Sequence, residues 1–327
     1  MNQRRTLLLT STLLAAGAIG FPLSAIAQAG YPNKSIKFIV PYSAGGLPDT
    51  VARIVAQRLG ERLGQSVVVD NKPGANGVVA AQALAASPAD GYTFLVTDGS
   101  MFSINPAIYK NLSYDFKRDF VPVSLIGRSP LYLAVHPKIG VSSLQEYIAL
   151  AKAKPGTLTY GSSGVGSTHH LTMEAMKAAL GLDIQHIPYK GSGQSVPALI
   201  GGQVDSVVTA LPSVAGFVKA NQARLIASNS PHRSSLAPSV SVIAEIIPGF
   251  DFAVVIGLLA PTGTPPAIVD RISAEVEKVV RSSETGQALD TAGVEPVGSK
   301  PAEYAKAMQG EIERLSKAIK VAGIKPE

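Results

Sequence analysis

The chain has 327 residues, 46% hydrophobic and 16% charged, a balance that fills two ordinary cores and excludes a disordered chain. Its formal charge of +6 is spread without a Lys/Arg run, which excludes a nucleic-acid surface. The absence of cysteine excludes disulfides, lipid attachment through an N-terminal Cys, thiolate catalysis and Cys-ligated zinc.

Residues 1–29 read as a cleaved secretory signal. Arg4 and Arg5 form its charged start, 7–23 is mostly apolar, and Ala25-Ile26-Ala27 or Ala27-Gln28-Ala29 supplies the small-residue cleavage site. The apolar part is too short and too interrupted to span a bilayer. Gln3-Arg4-Arg5-Thr6-Leu7-Leu8 carries the paired arginines of a twin-arginine signal and leaves both export routes open. The expected location is the periplasm.

Residues 36–40 predict a buried strand. A helix over 49–63 follows, with Val51, Ile54, Val55, Leu59 and Leu63 on one face and Gly64 at its stop. Strand 67–69, an Ala-rich helix over 77–86 and strand 92–96 continue the alternation, which predicts a parallel sheet in an α/β domain. Residues 98–116 are irregular around Asn105-Pro106. Strands at 121–126 and 131–135 carry the chain onward. Ser143 with Glu146 makes a capping box for a helix ending near Lys154. Strands at 157–160, 184–187, 204–209 and 225–227 then alternate with helices at 168–180, 195–200 and 213–219. A long strand-like run over 250–260, a helix to about 281, a short strand at 294–297 and a helix over 302–321 complete the chain.

Three strand-to-helix loops match. The first is Tyr42-Ser43-Ala44-Gly45-Gly46 running to Asp49, where an N-cap carboxylate explains the acid more simply than a general base. The second runs from Tyr160 through Ser162, Ser163, Gly164, Gly166, Ser167 and Thr168 to His169 and His170. The third is Tyr189-Lys190-Gly191-Ser192-Gly193. Such junctions aim free backbone N–H groups and the positive end of a helix dipole at one point, where a carboxylate is the natural guest. In open α/β sheets these loops lie beyond the carboxyl ends of strands, where ligands bind.

Enzyme motifs fit poorly. Gly161-Ser162-Ser163-Gly164-Val165 fails the nucleophile elbow at Val165, and no dinucleotide fingerprint or P-loop lysine is present. Adjacent His169 and His170 point about 100° apart on a helix, so they do not chelate one metal in the i, i+4 manner; one is expected packed and the other exposed. No metal or cofactor is expected.

The chain resembles the extracytoplasmic solute receptors of tripartite tricarboxylate transporters, the Bug-type receptors. The similar segments include Gly45-Gly46-x-x-Asp49, Asn71-Lys72-Pro73-Gly74, Asp90-Gly91-Tyr92, Ile104-Asn105-Pro106-x-x-Tyr109, all of 160–171, Pro188-Tyr189-Lys190-Gly191, Gly201-Gly202-Gln203-Val204-Asp205, Leu258-Leu259-Ala260-Pro261 and the terminal Ala322-Gly323-Ile324-Lys325-Pro326-Glu327. The resemblance implies a periplasmic binding protein type II-like α/β fold: two domains, a hinge and an interdomain cleft closing like a flytrap on a small carboxylate. It implies ligand contacts at Tyr42, Ser43, Ala44, Gly45, Gly46 and Asp49 and at Ser162, Ser163, Gly166, Ser167 and Thr168, with Lys190, Gly191 and Asp205 as weaker candidates. Asp205 has an equal reading as a strand-end structural residue. Leu47-Pro48 and Ile256 depart from the family's usual residues.

The expected domains are 30–128 with 250–327, and 129–249, hinged near 121–135 and 226–255. The implied receptor is a monomer handing its ligand to the membrane permease subunits of a tripartite transporter. Asp98, if it reaches the cleft, favours a ligand carrying an amine or hydroxyl and repels a second carboxylate; its other reading is an exposed turn aspartate. Two further functions stay open: an exported serine hydrolase using Ser163 and His170, and a sensory receptor without a transport role.

Overall fold

The structure is a computed structural model that describes residues 30–42 and 44–324, the side chains of Ser100 and Ile108 excepted. The signal reading of 1–29, Ser43 and residues 325–327 lie outside the described residues. Contacts divide the chain into Met1–Tyr31 and Pro32–Glu327, and every strand and helix of the described residues belongs to the second.

Two sheets organise it. Strand β1 (Ile36–Val40) is buried on both faces except at Lys37 and pairs in parallel with β2 (Val67–Asn71) and β3 (Thr93–Asp98). Between β1 and β2 runs α1 (Leu47–Leu63), which packs Val51, Ala52, Val55, Ala56 and Leu59 inward and stops at Gly64, held left-handed at φ 65°. Helix α2 (Val78–Ala85) joins β2 to β3. Strands β4 (Phe120–Ser129) and β10 (Val254–Pro261) complete the first lobe with the short β11 (Glu295–Pro296), in the order β11-β4-β10-β3-β1-β2.

The second lobe orders its strands β7-β6-β8-β5-β9, from β5 (Leu131–Val135), β6 (Thr159–Ser162), β7 (Gln185–Pro188), β8 (Ser206–Ala210) and β9 (Arg224–Ser228). Its helices are α3 (Leu144–Ala153), α4 (Thr168–Leu180), α5 (Ser192–Ile200) and α6 (Leu211–Lys219). Half of the expected α3 capping box forms: Glu146 N–H donates to Ser143 Oγ at 3.2 Å, but the Glu146 carboxylate reaches one residue further back and accepts the Ser142 N–H at 2.6 Å instead of the Ser143 N–H.

The strands at 36–40, 67–71 and 93–98 are parallel as expected, and the later strands make both sheets mixed. β10 runs antiparallel to β3 and β4, and β5 runs antiparallel to β8 and β9. The strands that carry the chain between sheets are the ones running against their neighbours. Only Pro130 separates β4 from β5, so the chain changes sheets without a crossover helix.

After β10 come α7 (Pro266–Val280), α8 (Ser283–Thr291) and α9 (Pro301–Val321). Periodicity did not predict α8, because only Thr285 and Leu289 of it are buried; its start rests on Ser282, whose Oγ accepts the Thr285 N–H. Along α9, Tyr304 and Met308 join the first lobe's core, and Leu315, Ala318 and Ile319 join the second's. The last helix thus straddles both lobes.

Candidate functional site: the cleft between the sheets

A cavity of about 490 Å³ opens between the lobes. Tyr42 reaches it from the end of β1, Asn76 from the loop after β2, and Asp98 from the last position of β3. From the other lobe Ser163 follows β6, Ser192 follows β7, Ala210 ends β8 and Ser213 follows it. β1 to β3 are parallel, as are β6 to β8, so six carboxyl ends converge on one space, the usual ligand position of α/β sheets.

The first loop is wired inward. Gly46, not Asp49, is the N-cap of α1, and Pro48 lies in its first turn, where it brings no N–H. Asp49, in the next position, is 2% exposed. It accepts the Gly45 N–H at 2.8 Å, Arg53 Nε at 3.0 Å and Asn71 Nδ2 at 2.8 Å. Burial alone raises this carboxyl, but the hydrogen bonds from Arg53, Gly45 and Asn71 outweigh it and hold it below the ordinary value. An internal carboxylate already occupies the positive end of α1. Ala44 and Gly45 are exposed, Gly46 is half-buried, and none of the three lines the cavity with Tyr42.

The second loop faces the cleft. Ser167 caps α4: its Oγ accepts the His170 N–H at 3.2 Å and donates to Gly164 O at 2.7 Å. No acid sits in that helix's first turn. Gly166, left-handed at φ 77°, donates its N–H to His170 Nδ1 at 3.2 Å. Ser163, Gly166, Ser167, Thr168 and His169 all line the cavity.

Beneath them lies a buried stack. His170 packs on His186 with centroids 4.1 Å apart, and His186 on Tyr160 at 4.8 Å. His170 is the packed histidine of the pair, and the half-buried His169 meets the cleft. Burial pushes His169 and His186 down to about 4, so both are neutral. Ser162, fully buried, sits behind the wall with its Oγ 2.7 Å from His186 Nε2. Ser163 Oγ lies 3.4 Å from Ser192 Oγ, while His170 Nδ1 is occupied by Gly166. Among the described residues the Ser163–His170 pair of a hydrolase does not form.

The weaker candidates stay out of the cleft. Lys190 is exposed, and its N–H bonds Gln194 Oε1 at 3.1 Å; Gly191 is the N-cap of α5. Asp205 precedes β8 and so lies at the opposite strand ends from Ser163. Its carboxylate accepts the Thr159 N–H at 2.9 Å and Thr159 Oγ1 at 3.0 Å, and lies 3.4 Å from Lys138 Nζ. Its strand-end reading fits this placement.

Asp98 does reach the cavity, and its Oδ2 accepts the Tyr42 O–H at 2.7 Å. Asn76 and Tyr109, which also line the cavity, were not among the expected contact residues. Asn76 is left-handed at φ 50° and, with Asn105, fixes the floor: Asn105 Nδ2 donates to Asn76 O at 2.9 Å, and Tyr114 O–H to Met101 O at 2.6 Å. The Asn105-Pro106 breaker was the available signal. Ser213 was missed because strand 204–209 empties into Ala-Leu-Pro-Ser without glycine.

Asn229, 1% exposed, ties the two crossings between lobes. Its Oδ1 accepts the Leu131 N–H at 2.9 Å and its Nδ2 donates to Phe252 O at 2.7 Å. Beside it Asp251 bridges Arg128 at 3.0 Å and Arg314 at 3.2 Å.

Residues 51–324 match the family model described as Tripartite tricarboxylate transporter family receptor. The chain belongs to this family. It is 34% identical over 327 residues to the protein BugT of Bordetella pertussis, covering 99% of each chain. It is 35% identical over 328 residues to a Cupriavidus necator protein described as the UPF0065 protein in the gbd 5′ region, covering 98% of this chain and 97% of that one. A solved structure from R. palustris with adipate superposes with a TM-score of 0.79 at 35% identity, covering 91% of this chain and 100% of that one. MatC from Rhodopseudomonas palustris with bound malate gives 0.72 at 26%, covering 88% and 100%. The two-lobed α/β architecture is therefore that of periplasmic binding proteins, and this receptor family binds solutes for transport. Among the described residues no helix is long and apolar enough to cross a membrane.

Proposed function

We propose that this receptor captures a small carboxylate in the cleft, closes around it without changing it, and presents the closed form to the permease subunits of a tripartite transporter. The observation that carries the reading is the second loop: Ser163 and Thr168 line the cavity beside the Ser167-capped start of a helix with no acid in its first turn. Charged hydrogen bonds of about 1.5–3 kcal/mol each, with roughly 0.3–1 from the dipole, reach micromolar affinity, about −8 kcal/mol, without an arginine clamp. Closure turns on the crossings at 129–131 and 229–253, with domains of 30–128 plus 250–327 and 129–249, on a μs–ms scale. The receptor acts as a monomer in the periplasm after loss of residues 1–29, by either export route.

Calorimetry against a panel of mono-, di- and aminocarboxylates tests this, with the ligand recovered afterwards and identified by mass. Binding by at least one member and recovery of it intact are expected. Binding by none, or consumption of an ester blocked by Ser163→Ala, contradicts it.

A further inference from the structure

The charge on the cavity wall says more about the ligand than its shape does. Among the described residues lining the cleft, Asp98 is the one formally charged side chain, and no lysine or arginine is present. His169, the other titratable group of nitrogen type there, is neutral at physiological pH because burial lowers it to about 4. Asp98 ends a central strand and accepts the Tyr42 O–H, so its carboxylate is fixed to rigid backbone rather than carried on a mobile turn. Behind it the buried Glu311 is pushed well above the ordinary carboxyl value, first by burial and then by Asp98.

The remaining wall divides by lobe. Hydroxyls cluster on the second lobe at Ser163, Ser167, Thr168, Ser192 and Ser213, whereas Leu47, Pro48, Ile104, Leu131, Val165 and Val254 make the surface between the poles apolar. A ligand with carboxylates at both ends would set one of them against Asp98 on a wall whose described lining residues include no lysine or arginine, where like charges repel more strongly than in water. We infer that the ligand is zwitterionic, an aminocarboxylate with an apolar body whose ammonium lies on Asp98 and Tyr42 and whose carboxylate lies on the second loop. The inference rests on the carboxylate reading above and narrows it. It also sets this chain apart from the relatives solved with adipate and malate. Asp98 then acts as a specificity residue through repulsion of the wrong ligand as much as through attraction of the right one.

The test is calorimetry with ω-amino carboxylates from β-alanine to 6-aminohexanoate, each matched to the dicarboxylate of the same methylene spacer, succinate to pimelate. The unaltered chain is expected to bind the best amino member about ten- to a hundredfold more tightly than its matched dicarboxylate. Asp98→Asn, nearly isosteric, is expected to remove that preference. Tighter binding of a dicarboxylate by the unaltered chain, or an unchanged preference in Asp98→Asn, overturns the inference and leaves carboxylate capture standing. Failure of every carboxylate overturns both. The matched pairs use the unaltered chain, so the test holds even if Asp98→Asn melts.

Discussion

The loops over 41–49 and 160–168 look alike as sequence, each a strand emptying into glycine and small residues before a helix, yet they do opposite work. In the first, Asp49 turns back on its own loop and consumes the Gly45 N–H, and Pro48 withholds another donor. In the second, the capping group is a neutral hydroxyl, Ser167, and the helix start keeps its positive character toward the cavity. A glycine-rich strand-to-helix turn is thus an anion site only when its own acid does not reach the helix first. One loop is a brace and the other a receptor surface.

Substitution sharpens that contrast, the brace giving the larger effect. Asp49→Ala leaves the Gly45 N–H, Arg53 and Asn71 without their common acceptor. With Arg53 half-exposed, the expected loss is about 2–3 kcal/mol of stability, read as a lower melting midpoint in urea. Binding by the folded fraction is expected to change little. Thr168→Val is the reverse case: it leaves the Ser167 cap and the fold in place, and weakens carboxylate binding roughly tenfold by removing one hydroxyl donor from the cavity wall. Equal losses of affinity in the two variants would dissolve the distinction.

A third effect, absent at neutral pH, separates the loops in acid. His186 is a base whose folded value is depressed from 6.5 to about 4. The unfolded chain therefore takes up its proton first, and stability is lost as pH falls from about 6.5 toward 4. Asp49 is an acid held below its ordinary 3.8, so its contribution is still fully present across that window. Hydrogen exchange between pH 7 and 4 is expected to show 160–170 loosening while 41–49 stays protected, and His186→Phe is expected to make the acid limb shallower, with His169 supplying what remains. Simultaneous loosening of both segments, or an unchanged limb in His186→Phe, contradicts this.

Much of this architecture was legible because it follows from local rules. The apolar run at 36–40, the spacing of Val51, Val55 and Leu59, the stop at Gly64 and the Ser143–Glu146 box each name their element without reference to the rest of the chain. What stayed hidden depends on pairing across distance. Placing the start of α1 at Leu47 rather than Asp49 is a shift of two residues, yet it turns a cap into a buried hub with Asn71. Asp205 carries no sign of which end of its strand faces the ligand. Asn229 gives no local signal of its role, and only its bonds to Leu131 and Phe252 show it tying the crossings together.

A crystal structure of the receptor with a bound carboxylate tests the account most directly. The expected result places the carboxylate oxygens within hydrogen-bond distance of the Ser163 or Thr168 hydroxyl at the start of α4, with Asp49 still holding the Gly45 N–H. A carboxylate seated on the backbone amides of 44–46, with Asp49 displaced, would contradict it.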